Sequence, residues 1–140
     1  MEPKQPLHPD NSRKWIIEVT EEQLLLIAGC VEDIHRFMAG QCELDNSRSA
    51  INFPQAKEIR ERLTSLKEFT GEYDWAGSGC SNPSQKKIIA QTYGIYREIL
   101  HQVIIHRDRL GVNAYASPTL TCSLSTPLPV IRPKEEYGND

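Results

Sequence analysis

The stretch from Asn82 to Leu110 does most to constrain what this chain folds into. Asn82 is a good N-cap, Pro83 suits the first helical position, and Gln85 follows at the third. Ile88, Ile89, Ile95, Tyr96, Ile99, Leu100, Val103 and Ile104 then recur at helical period over a wide arc. A long helix with so broad an apolar face must be central and buried. Its expected end is near Leu110, before Gly111. Such a helix needs partners, and the rest of the chain offers two.

Trp15-Ile-Ile-Glu-Val19 is aromatic and β-branched, which predicts a short strand. Thr20-Glu-Glu-Gln23 reads as a capping box, so a helix starts directly after it. Leu24, Ile27, Val31, Ile34 and Met38 form one apolar stripe, and this helix is expected to reach Gln41 or Glu43. A polar connection from Asp45 to Asn52 follows. Pro54 then suits a first helical position, and Ala56, Ile59, Leu63 and Leu66 mark a second helix ending near Phe69. The predicted fold is mainly α: a compact bundle of three amphipathic helices with a short N-terminal strand. Thr119 to Leu124 and Pro129 to Arg132 are its candidate extended partners. Residues 1–12 read as a disordered leader, 13–115 as the helical domain, and 116–140 as an extended, proline-rich, partly disordered tail.

Composition excludes several function classes. The 140-residue chain carries a net charge of −3 and a pI near 5.8. It has no global basic field to hold long nucleic acid. The N-terminal residues lack the apolar core of a signal peptide, and no apolar run is long enough to cross a membrane. The four cysteines, Cys30, Cys42, Cys80 and Cys122, read as reduced thiols in a cytoplasm. They lack metal-binding spacing, and no cofactor is expected.

The stretch most suggestive of chemistry runs from Tyr73 to Lys87. Tyr73 and Trp75 lead into the glycine loop Gly77-Ser-Gly79, and Lys86 and Lys87 follow in the opening turns of the third helix. Cations at a helix N-terminus are locally unfavourable, so two of them there invite an anion. Aromatic rings beside them suit a flat group, as in a nucleotide. The loop lacks the Gly-Lys-Ser/Thr ending of a Walker sequence. Read plainly, it is a surface loop with an Asn-Pro cap and solvated lysines.

A second pattern is shared by two helices. Gly29, Asp33, Arg36 and Gly40 recur at steps of four, three and four, as do Ala90, Gly94, Arg97 and His101. One reading is tight helix packing with an Asp33–Arg97 or Asp33–Arg36 ion pair. The other is a groove or subunit interface in which Arg36 and Arg97 grip phosphate, with His101 alongside. His35 reads as a hydrogen-bonded core histidine and Cys30 as a small buried hydrophobe. His106-Arg-Asp-Arg-Leu-Gly-Val-Asn113 has the spacing of a kinase catalytic loop but none of the other kinase parts.

The segments Ile17 to Leu24, Glu32 to Gln41, Ala90 to Arg97 and Ser117 to Cys122 resemble small uncharacterised proteins of gut Bacteroidales and their phages and prophages. The resemblance covers most of residues 14–122 and carries no catalytic residues. It implies a phage-encoded accessory protein in a bacterial host cytoplasm. Some such proteins are sponges that sequester cyclic nucleotide or cyclic ADP-ribose type immune messengers. The expectation is therefore a non-enzymatic, homo-oligomeric binder of a small anionic nucleotide-like ligand, countering host defence. Its candidate ligand residues are Tyr73, Trp75, Gly77, Gly79, Lys86, Lys87, Tyr93, Arg97, His101 and Arg36. The rival readings are a helical interaction module that inhibits a host enzyme, and a small nucleotide hydrolase using His101 or His35.

Overall fold

The structure is a computed structural model, and it describes residues 11–107, 114–120 and 127–134. Within these the protein is mainly helical, with α1 (Glu21–Met38), α2 (Asp45–Arg48), α3 (Gln55–Thr64), α4 (Lys67–Thr70), α5 (Pro83–His106) and a 3₁₀ turn at Ala114–Ala116. No helix among the described residues is long and apolar enough to cross a membrane.

The two long helices begin as their caps dictate. Thr20 Oγ1 accepts from Gln23 N at 3.1 Å, and Gln23 Oε1 accepts from Thr20 N at 2.9 Å. Asn82 Oδ1 accepts from Ser84 N and Gln85 N, with Pro83 in the first helical position. Helix α1 stops at Met38, short of the expected Gln41 or Glu43. Gly40 just beyond has φ of 100°, which ends the helix and removes Gly40 from the helical face assigned to it.

Helices α1 and α5 run antiparallel. Gln85 Nε2 donates to Met38 O at one end, and Arg107 pairs with Glu21 at the other. Ala28, Ile99 and Val103 form the centre of their contact, with Leu24, Leu25, Ile27, Ile95, Leu100 and Ile131 around it. The α1 stripe is rotated from the expected one. Ala28, Asp33 and His35 are its buried residues, while Ile34 is exposed and Cys30 also faces solvent rather than the core.

The expected second helix is broken into α3 and α4. The hydroxyls of Thr64 and Ser65 donate back to the carbonyls of Arg60 and Arg62, at 2.8 and 2.7 Å, in competition with the backbone ladder. Of α3, only Ala56 is fully buried, and the helix packs against α2 rather than against the long pair.

Trp15–Val19 forms no strand, and none occurs among the described residues. The pairing proposed for Thr119 to Leu124 falls partly outside them. Pro129 to Arg132 instead lies against the helices, where Leu128 sits over Gly94 and Ile131 joins the core cluster. A strand needs a hydrogen-bonded neighbour, and this segment gains side-chain burial without one.

Candidate functional site

The loop before α5 is fastened to the end of α1. Tyr73 N donates to Ala39 O at 2.9 Å, and Gln85 Nε2 donates to both Met38 O and Thr70 O at 2.8 Å. Gly40 and Gly71 meet so closely that a Cβ on Gly40 would overlap the Gly71 carbonyl oxygen. Tyr73 folds back over Gly71, its hydroxyl at Cys80, and its pKa is raised by burial and by the Cys80 thiol. These contacts fix where the aromatic pair stands.

Trp75 stacks on Tyr93 with ring centroids 4.5 Å apart and planes at 33°. Tyr93 in turn touches His35 at 5.6 Å and the edge of Tyr96 at 5.9 Å. The indole keeps 37% of its surface exposed, while Tyr93 is buried. Gly77 is buried at φ of 75°, and Lys86 lies across it: a Cβ there would be 3.1 Å from Lys86 Cγ. Lys86 is half-buried and Lys87 exposed, and neither has an ion pair among the described residues. The sequence-expected Trp75, Gly77, Lys86 and Tyr93 are therefore brought together. Gly79, at φ of 86°, has open space around it.

The loop amides are not offered to a ligand in the way the glycine pattern implied. Asp74 Oδ1 accepts from Ala76 N at 3.1 Å and from Ser78 N at 2.8 Å, and Asp74 O accepts from Gly77 N. Asp74 thus provides the loop's own anion. The signal was present: an Asp whose side chain can accept from the N–H two residues on, with Gly three residues on, is the pattern of an Asx turn. The free N–H groups of Ser84 and Gln85 are likewise taken by Asn82.

Arg36, Arg97 and His101 gather around Glu32 and Tyr115. Arg36 pairs with Glu32 at 2.8 Å and donates to Gln41 Oε1 at 2.8 Å. Burial pulls the Arg36 pKa down, but the Glu32 hydrogen bond and charge outweigh it and hold it above its usual value. The Arg97 guanidinium lies 4.9 Å from the Tyr115 ring centroid, and His101 Nδ1 donates to Tyr115 O at 2.8 Å. The Tyr115 hydroxyl reaches Glu32. Burial, then the Glu32 charge, pushes Tyr96 up to about 12. Tyr115 and Glu32, which organise this cluster, went unnoticed in the sequence because Tyr115 reaches it from 18 residues along. Along α5, Lys86 and Arg97 are eleven residues apart, about 16 Å of helix axis. Tyr93, one turn before Arg97, stands between them.

Neither small-residue face meets a second long helix. Gly29 faces Asn46, and buried Asp33 accepts from Asn46 N at 3.0 Å and Ser47 N at 2.7 Å. This overturns the expected ion pairs of Asp33 with Arg97 or Arg36: the carboxylate anchors α2 instead. Gly94 faces Leu128.

His35 is a core histidine. Its Nδ1 lies 2.8 Å from Ile89 O, an acceptor only, so Nδ1 carries the proton. Burial, opposed by that hydrogen bond, lowers its pKa from 6.5. Among the described residues no group of three or more His, Cys, Asp or Glu side chains is placed to hold a metal. Cys122 and most of the kinase-like segment after Arg107 lie outside the described residues. No family model, curated protein or solved structure matches this chain.

Proposed function

We propose that this is a non-enzymatic binding protein whose ligand face is the Trp75–Tyr93 stack flanked by Lys86 and Lys87. Its ligand class is a flat anion of nucleotide type. One observation carries the reading: a half-exposed indole, held on a buried tyrosine, shares its loop with Gly77, across which Lys86 lies with no acidic partner among the described residues. Stacking of a base on an aromatic ring contributes about 1–3 kcal/mol, and an anion relieves the unfavourable placement of cations at a helix N-terminus.

Because the loop amides serve Asp74 and Asn82, recognition rests on side chains. His35 is buried beneath the Trp75–Tyr93 stack and His101 lies fifteen residues, about 22 Å of helix axis, beyond Lys86, so neither imidazole stands at the lysine end of the face. The finer form of the reading is sequestration of a cyclic nucleotide or cyclic ADP-ribose type messenger in a bacterial cytoplasm, countering defence. It rests on the resemblance to small uncharacterised proteins of Bacteroidales and their phages and prophages.

The chain has two tryptophans, so Trp15→Phe leaves Trp75 as the sole indole. Titrating that variant with linear and cyclic nucleotides should quench its fluorescence saturably. A signal unchanged at millimolar nucleotide contradicts the reading.

A further inference from the structure

We infer that two copies of this chain associate by exchanging N-terminal arms, with Trp15–Val19 of each lying along the α1/α5 flank of the other. The arm is the most anomalous surface of the molecule. Trp15, Ile16 and Ile17 are 77, 96 and 71% exposed, and Val19 is 37% exposed. Together they present on the order of 500 Å² of apolar surface, at the upper end of the largest patch a monomer exposes, and such patches are often functional.

The receiving surface is the outer edge of the expected α1 stripe, where Ile27, Val31 and Met38 are half-buried and Ile34 is exposed. Ile27, Val31, Ile34 and Met38 of α1 lie along it, beside Ile88 and Ile95 of α5. Ile27 and Ile95 pack on the same central cluster, which places the two rows side by side. Ile34 is 44% and Ile88 37% exposed. Gln91 and Gln102 edge the strip, and its first charged side chain is Glu98. A strip without charge at its centre is the compositional mark of an interface. Of the described supports, α2 lies on the side of Gly29 and Asp33, Tyr115 and Leu128 lie against Arg97, His101 and Gly94, and Ile131 packs on the central cluster; Ile34 and Ile88 keep their exposure beside them.

The dimensions agree. Five extended residues span about 16 Å, and Ile27 to Met38, eleven residues of helix, also span about 16 Å. Trp15, Ile17 and Val19 alternate onto one side of an extended arm and face the flank together. Counting only the side chains that face the flank, two arms and the two surfaces they cover amount to roughly 1,500 Å², within the range of a stable interface. The arm of the same chain is not packed on its own flank: Trp15, Ile16 and Ile17 stay exposed, Thr20 leads into α1 with ψ of 164°, and Glu18 pairs with Lys134.

Sedimentation equilibrium of the full chain tests this. The expected mass is twice 15.9 kDa. The arm variant Trp15→Glu/Ile17→Glu and the flank variant Ile34→Glu change exposed positions, so each should keep its helical circular dichroism while its dimer dissociation constant rises at least ~100-fold. Mixing the two variants should recover part of the association, because the mixed dimer retains one intact arm on one intact flank. A wild-type mass of one chain at the highest soluble concentration overturns the inference. So does an arm variant that stays dimeric, a mixture that stays monomeric, or an arm that binds only a different protein.

Discussion

Trp75 rests on Tyr93 at a ring-centroid distance of 4.5 Å, joining a surface indole to the aromatic core around His35 and Tyr96. The stack gives the proposed site a rigid floor. Trp75→Ala should lower stability by only about 1–2 kcal/mol, since the ring is partly exposed, but should remove nucleotide binding. Urea unfolding and calorimetric titration measure the two effects separately. Undiminished affinity in the variant would exclude the indole from the site.

Charge reversal separates binding from folding more sharply. Lys86→Glu with Lys87→Glu places acids in the opening turns of α5, where they favour the helix by about 0.3–1 kcal/mol each. The double variant should melt no lower than the wild type and bind no nucleotide. A lower melting temperature would mean that Lys86 matters chiefly as a cover for Gly77.

Asp33 offers a test of the fold. Its carboxylate is buried and accepts backbone hydrogen bonds from Asn46 and Ser47. Asp33→Ala leaves both donors without that partner and should cost about 2–4 kcal/mol. Urea unfolding should show this as a lower midpoint. A loss under about 0.5 kcal/mol would mean that α2 does not depend on this anchor.

His35 makes stability pH-dependent. Burial holds its folded pKa below 6.5, so the unfolded chain binds the proton more readily. The contribution is intact above about pH 6.5 and is lost as pH falls through that value toward the folded pKa. His35→Asn keeps a donor for the Ile89 carbonyl without titrating. Urea midpoints measured from about pH 7.5 to pH 5 should fall less steeply in the variant than in the wild type. Parallel slopes would assign the pH dependence to other groups.

Two glycines at positive φ should respond differently. Gly79→Ala meets open space and should cost about 1–2 kcal/mol from backbone strain alone. Gly40→Ala adds a clash with the Gly71 carbonyl and should cost more than 3 kcal/mol or prevent docking of the loop. Equal effects on the unfolding midpoint would contradict the close approach of Gly40 and Gly71.

What could be read in the sequence was local. The Thr20–Gln23 and Asn82–Gln85 caps act within three residues, and both starts of the long helices were legible. His35 was legible as a core histidine from its apolar helical neighbours. The break at Thr64 and Ser65 was not, because hydroxyl back-bonding competes with a helical pattern that α3 has little tertiary packing to enforce. Trp15–Val19 has strand composition, but composition supplies no partner strand. Trp75, Gly77, Lys86 and Tyr93 were grouped correctly because loop and helix are contiguous. The Arg36 and Arg97 contacts with Glu32 and Tyr115 were not legible, since periodicity does not encode them.

The most direct test of the binding account is a thermal-shift screen of the full chain, alongside its Lys86→Glu/Lys87→Glu variant. The panel comprises linear nucleotides, cyclic di- and trinucleotides and cyclic ADP-ribose isomers, each recovered and checked for integrity. A ligand present at 100 times its dissociation constant adds about 2.7 kcal/mol to the native state, a readily measured shift. The account predicts at least one compound that stabilises the wild type, leaves the variant unmoved and is returned intact. No shift with any compound, an equal shift in both proteins, or a cleaved ligand would contradict it.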